Sequence, residues 1–169
     1  ILISSNLERL LYHLTEDTAE VAAWMKQLTE VGKYDASRLL PTLKENFWAA
    51  FEDDAATEQE IRAVYERTHY TLDTHTAVAY AAYVSYKGES NDEHKTLIAS
   101  TASPYKFSES VVFAIEGKKS GEWESVEKLR ELSGVKIPNA VEEVRSADIR
   151  HNRECDIADM KKTVKDILV

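Results

Sequence analysis

Cysteine occurs once, at Cys155, so the 169-residue chain can form no internal disulfide. A reducing compartment, the cytoplasm, is the expected location. Glycine is nearly as sparse, with Gly32, Gly88, Gly117, Gly121 and Gly134 scattered along the sequence. A phosphate-cradling loop needs neighbouring backbone N–H groups at the opening of a helix. The nearest approach, GKKSG at 117–121, lacks the GK[ST] ending and an apolar strand before it. No apolar run reaches the length of a membrane span. Positive charge is in deficit: the formal net charge of −9 argues against nucleic acid or a membrane as the main partner. There is no G-x-S-x-G elbow for a serine hydrolase. His151 and Cys155, four residues apart, fall far short of a zinc site, and no metal is expected. Internal repeats and low-complexity tracts are also missing.

What is present is an ordinary globular composition, 43% apolar and 30% charged, in a chain long enough to bury a core. The first residue is Ile1 rather than Met, inside an apolar run, which suggests a piece of a longer protein. ILI at 1–3 is short and β-prone, and Ser4, Ser5 and Asn6 offer cap side chains for a helix through LERLLYHL. Asp17 is placed to cap a second helix that Gly32 stops, and Pro41 suits the first turn of a third. Thr57 and Glu60 form a capping box for TEQEIRAVYERTH. The stretch 17–69 is therefore expected to be a helical lobe or insertion.

From Tyr70 the character changes. THTAVAYAAYVSY is apolar nearly all round, which predicts a buried helix. TLIA at 96–99 suits a short buried strand, and Pro104 starts a helix through PYKFSESVVFAI. Residues 70–115 thus read as a helix–strand–helix unit of an open α/β sheet whose other strands lie outside the chain. Trp123, Val126, Leu129 and Leu132 share one face of a later helix; Ile157, Met160, Val164 and Ile167 form a stripe on the last.

Ligands of open α/β sheets collect at the carboxyl ends of strands. Ser100 and Thr101 fall at such an end, with Ser103 beyond. They either face a ligand or cap the helix that starts at Pro104. Asp73 poses the same choice: it caps the following helix by accepting from an N–H near Thr76, or it joins His75 in acid–base work. Ser5 and Asn6 are the better binding candidates at the first strand-to-helix turn, and the neighbouring Glu8–Arg9 pair reads as a solvated face. Lys106 could form a Schiff base, but nothing nearby supplies a phosphate cradle.

Taken together and in order, SSNLERLLY, LDTHTAVAYAAY and STASPYKF resemble threonine synthase, in the branch whose stretches read S-N-[FL]-E-R, D-P-H-T-A-V-A and S-T-A-x-P-x-K-F. The resemblance covers essentially all of residues 1–169, as the carboxy-terminal portion of a longer enzyme. It implies a helix-rich α/β chain with few strands, part of a pyridoxal-phosphate enzyme of the tryptophan synthase β-like fold (fold type II). It also implies conversion of O-phosphohomoserine and water to threonine and phosphate, the last step of threonine biosynthesis. The lysine that holds the cofactor as a Schiff base and the glycine-rich phosphate loop lie earlier in such enzymes. No catalytic group is therefore expected here, the remainder of the same polypeptide is the expected partner, and the fragment alone is expected to be inactive.

Carried residue by residue, the resemblance makes Thr101 the hydroxyl facing the pyridine nitrogen, with Ser100 as its neighbour and fallback. A neutral hydroxyl imposes protonation on that nitrogen less firmly than a carboxylate does. Asp73 matches the acidic position at the start of the helix beside the cofactor, followed by His75 and Thr76. Ser5 and Asn6 match a turn near cofactor or substrate. Thr74 departs from the usual proline, which loosens that turn without removing a catalytic group. Ser103 replaces a histidine of many relatives, so no role transfers to it. The alternative is a non-catalytic helical binding or regulatory module that shares these stretches.

Overall fold

The computed structural model describes residues 3–168; Ile1 and Leu2 of the β-prone opening run, and Val169, lie outside the described residues. Among them the chain forms nine α-helices and three single 3₁₀ turns, and no strand. It divides into two compact units.

The first unit comprises Ile1–Glu52 and Ala81–Lys95. Helix α1, Ser5–Thr15, starts where the Ser4 hydroxyl accepts from the Leu7 N–H at 3.4 Å. It ends at Glu16, which takes a left-handed φ of 53°. Asp17 then caps α2, Thr18–Val31, accepting from the N–H groups of Ala19 and Glu20 at 2.9 and 3.0 Å. Gly32, at φ 80°, closes α2 by donating to the Leu28 carbonyl, as its freedom in the left-handed region allows. A turn at Ser37–Leu39 leads into α3, Leu40–Asn46, with Pro41 in its first turn. Leu11, Val21, Trp24 and Leu39 are the buried core of this unit, and Tyr34 stacks on Trp24 with ring centroids 6.0 Å apart.

The second unit comprises Asp53–Tyr80 and Thr96–Val169. It holds α4 (Asp54–Thr68), the opening of α5 (Thr74–Glu89), and α6 (Ser108–Glu116) behind a 3₁₀ turn at Pro104–Phe107. After these come α7 (Glu122–Ser133), α8 (Asn139–Ser146) and α9 (Met160–Leu168). Helices α4, α6 and α7 build the core: Ile61 and Val64 meet Val111, Val112 and Ala114 of α6 and Val126 and Leu129 of α7. Partly buried polar ties join α4, the Pro104–Phe107 turn and the end of α7 with the residues after it. Tyr65 donates to the Leu132 carbonyl at 3.1 Å, and Tyr105 donates to the Val135 carbonyl at 2.6 Å. Burial pushes the Tyr105 phenol up from its ordinary value.

Four expectations change. The strand over TLIA does not form: residues 95–103 carry no regular structure, and Leu97 is 97% exposed. A strand is stabilised by the neighbour that pairs its N–H and C=O groups, and no described residue supplies one. The described residues are accordingly helix-rich, as expected, but lack the expected strand, and 70–115 is helix–loop–helix. Helix α4 begins earlier than the Thr57–Glu60 box, because Asp53 accepts from the Ala56 N–H at 2.8 Å and Thr57 donates back to the Asp53 carbonyl at 2.8 Å. Helix α5 is not buried all round: Ala77 and Ala81 are buried, but Val84 is 48% exposed. Residues Pro104–Phe107 wind as 3₁₀ before α6 takes over. Met160, Val164 and Ile167 lie on α9 and Ile157 in the 3₁₀ turn Ile157–Asp159 before it, and all four are exposed.

Candidate functional site

The polar cluster of the second unit is organised by Asp73, whose side chain is almost completely buried at 2% exposure. Its Oδ1 accepts from the backbone N–H groups of His75 at 2.9 Å and Thr76 at 3.2 Å, satisfying donors that the first turn of α5 leaves open. Its Oδ2 accepts from the Thr76 hydroxyl in a short hydrogen bond. The capping reading of Asp73 is thus correct, and the cap extends into a side-chain network. Thr76 Oγ1 lies 3.1 Å from Ser100 Oγ, which joins α5 to the 95–103 loop across 24 residues of sequence.

The other capping alternative resolves differently. Ser103, not Ser100 or Thr101, caps the turn at Pro104, accepting from the Tyr105 N–H at 3.2 Å. Ser100 and Thr101 are left on the exposed side of the loop. The Thr101 hydroxyl makes no hydrogen bond among the described residues. His75 is largely exposed, with Nδ1 3.6 Å from Asp73 Oδ1 and 3.5 Å from Thr74 Oγ1. Its ring lies 5.6 Å from that of Phe107 at an interplanar angle of 32°. Sequence reasoning missed Phe107, although it closes the STASPYKF stretch; only its aromatic character hinted at a ring contact. Lys106 is exposed, with its ammonium 5.4 Å from the Phe107 ring centre.

Ser5 and Asn6 belong to the first unit. Both are exposed at the start of α1, and the Asn6 side-chain oxygen accepts from Arg9.

Asp73, His75, Thr76 and Ser100 therefore come together, with Thr101 next to them in sequence. The donor set fits the nitrogen side of a pyridine ring: neutral hydroxyls backed by a buried carboxylate. It does not fit a phosphate. A Cβ added at Gly32, Gly88, Gly121 or Gly134 would meet nothing within 4 Å, so none of these glycines marks a close backbone cradle. No three His, Cys, Asp or Glu side chains gather to hold a metal among the described residues. No described helix is long and apolar enough to cross a membrane. A groove of about 330 Å³ lies beside the cluster, lined in part by Lys106, Phe107, Trp123, Val126 and Val141. Concavity and hydroxyl chemistry do not coincide. The hydroxyl cluster is the better candidate, because its polar atoms converge and the groove is mostly apolar.

Residues 76–155 match the family described as "Threonine synthase, C-terminal". The chain is 31% identical over 155 aligned residues to threonine synthase of Saccharomyces cerevisiae, covering 80% of this chain and 30% of that protein. It is 29% identical over 128 residues to threonine synthase of Schizosaccharomyces pombe, covering 68% of this chain and 25% of that one. Among solved structures it resembles the pyridoxal-phosphate-bound threonine synthase of Brucella melitensis, with a TM-score of 0.57 and 27% identity over 79% of this chain and 28% of the other. The chain thus spans under a third of the length of these relatives. The resemblance read from SSNLERLLY, LDTHTAVAYAAY and STASPYKF is borne out: sequence and fold are similar to those of a carboxy-terminal portion of threonine synthase.

Proposed function

We propose that this chain is the carboxy-terminal part of a pyridoxal-phosphate enzyme of fold type II that converts O-phosphohomoserine and water to threonine and phosphate in the cytoplasm. The observation that carries the reading is the Thr76–Ser100 contact, which joins two of the three family-like stretches into one polar cluster. Its chemistry suits the ring side of the cofactor, and the Brucella relative binds that cofactor.

When bound, pyridoxal phosphate supplies an electron sink for charge leaving the substrate carbons. This chain's part is to hold and orient. Asp73 fixes the first turn of α5 and the Thr76 hydroxyl; Thr101, without an internal partner among the described residues, would offer its hydroxyl to the cofactor ring. His75, seated on Phe107, and Thr76 border substrate or cofactor. Ser5 and Asn6, in the first unit, are ligand-binding candidates by their match to the family stretch. The rest of the same polypeptide brings the catalytic lysine and the phosphate loop, so the unpaired loop at 95–103 and its exposed Leu97 are docking surface for that remainder.

The test is phosphate release from O-phosphohomoserine by the full-length protein that contains this chain, and by residues 1–169 alone. Turnover dependent on pyridoxal phosphate in the first, and none in the second, is expected. Turnover by residues 1–169 alone, or none by the full-length protein, would overturn the reading.

A further inference from the structure

Helix α9, nine residues from Met160 to Leu168, is too short to be stable by itself. Isolated helices below about 12–15 residues are marginal in water, and a short one persists by packing an apolar face. The turn Ile157–Asp159 that leads into it gains no side-chain cap from Asp156. Yet Met160, Val164, Ile167 and Leu168, spaced so as to share one face of the helix, are each more than half exposed. Lys161 and Lys165 border that face along one edge and make no ion pair among the described residues. The sequence thus builds an amphipathic face and leaves it without a counterpart.

The apolar groove of the same unit does not hold it, since no residue beyond Val144 lines that groove. A second copy competes poorly with a segment of the same polypeptide, whose tether gives it an effective concentration of about millimolar. Such a segment exists in the relatives: this chain covers 30% and 25% of the two yeast threonine synthases and 28% of the Brucella one. Resting on the function proposed above, we infer that α9 is a docking face for the upstream remainder of the same polypeptide. That remainder meets Met160, Val164, Ile167 and Leu168 with an apolar strip, edged by carboxylates opposite Lys161 and Lys165. Helix α9 is then the carboxy-terminal anchor that ties this chain to the part carrying the lysine and the phosphate loop.

The experiment uses the full-length protein with a thiol placed on the stripe, Val164→Cys or Ile167→Cys, or on the opposite side of α9, Lys162→Cys. Maleimide labelling is followed peptide by peptide with mass spectrometry, natively and in urea. Cys155, exposed in the irregular segment before the turn, is the internal reference. Native labelling of Val164→Cys and Ile167→Cys is expected to be at least about tenfold slower than of Cys155, the mark of a docked face worth about 1.4 kcal/mol or more. The Lys162→Cys thiol is expected to react as Cys155 does, and all rates to converge in urea. Adding Lys161→Glu and Lys165→Glu should raise the Ile167→Cys rate about threefold, in line with surface ion pairs.

Stripe thiols that label as fast as Cys155, or no faster labelling with the two glutamates, overturn the inference. So does protection that disappears on dilution, which assigns the face to a second copy. Protection lost on Val144→Glu, a change in the exposed wall of the groove, assigns it to the groove of its own unit and overturns the inference as well. Phosphate release from O-phosphohomoserine by a protein whose stripe is unprotected leaves the proposed function standing without this inference. A protected stripe in a full-length protein that releases no phosphate does the reverse.

Discussion

Arg62 on α4 donates from Nε to the Ala114 carbonyl of α6 at 2.7 Å, across 52 residues of sequence. That carbonyl lies in the last turn of α6, where helix carbonyls lack partners within the helix. The guanidinium therefore closes the end of α6 and holds α4 against it in one contact. Gly117, just beyond, has φ 73°, and a Cβ there would come within 3.3 Å of Arg62 Nη2. Arg62→Met keeps the aliphatic stem and removes the donor. It is expected to lower unfolding free energy by about 1.5–3 kcal/mol, the range for charged hydrogen bonds. Urea denaturation of the chain measures this, and an unchanged midpoint would mean the carbonyl is equally well served by water.

Leu129 and Ile157 make the burial contrast. Leu129 is fully buried among α4, α6 and α7, whereas Ile157 is 89% exposed. Leu129→Ala should cost about 2–5 kcal/mol, through lost transfer energy and the cavity left behind. Ile157→Ala should stay within about 0.5 kcal/mol in the same assay. Equal effects would mean that the 3₁₀ turn Ile157–Asp159 ahead of α9 is packed in solution.

Thr101→Val in the full-length enzyme is expected to reduce cofactor affinity and turnover and to leave the melting temperature alone. The loss of one polar contact with the volume kept corresponds to about 1–3 kcal/mol. Unchanged affinity and turnover would remove Thr101 from the site.

Acid should act on two places in a predictable direction. The Arg145 guanidinium, hydrogen-bonded at 2.6 Å, holds the Glu127 carboxyl below its ordinary value of 4.5, with Arg130 assisting. Asp92 is held well below the usual carboxylate range by the His94 N–H, the Tyr86 hydroxyl and the His94 ring. A carboxyl whose folded value is depressed contributes stability above its unfolded value, and loses it as pH falls through the folded one. Unfolding midpoints should therefore drop as pH is taken from the ordinary carboxylate range downward. Arg145→Gln should shrink the part of that drop due to Glu127. A pH profile identical in Arg145→Gln would show that the exposed pair contributes nothing.

Much of the helical layout was legible because its signals are local. Ser4, Asp17, Gly32 and Pro41 each act within one helical turn, so their caps and stops read directly from the sequence. Asp53 was overlooked because Thr57 with Glu60 offered a complete capping pattern one turn later. The strand at 96–99 failed for a different reason: apolar pattern gives a segment its tendency, but a ladder needs a second segment. In the candidate site, Asp73 as a cap was readable from its position before α5. Its further link through Thr76 to Ser100 was not, since nothing in either stretch encodes a contact 24 residues away. The seating of His75 on Phe107 was hidden for the same reason.

The bare loop around Leu97 also makes the chain severable. A protease needs several residues in extended form, and residues 95–103 offer them with no helix to unwind. A cut after Leu97 would leave α4 on one piece and α6 on the other, with Ile61 and Val64 still packed on Val111 and Val112. The two pieces would thus stay together as a non-covalent pair. Ser100, however, would be the third residue of the new piece, held to Thr76 by a single hydroxyl contact. Covalent continuity keeps that serine at a high effective concentration near its partner. Nicked material would keep its helices and its size on a column and lose the ordered hydroxyl, so that a sample intact by bulk criteria could be silent at this one position.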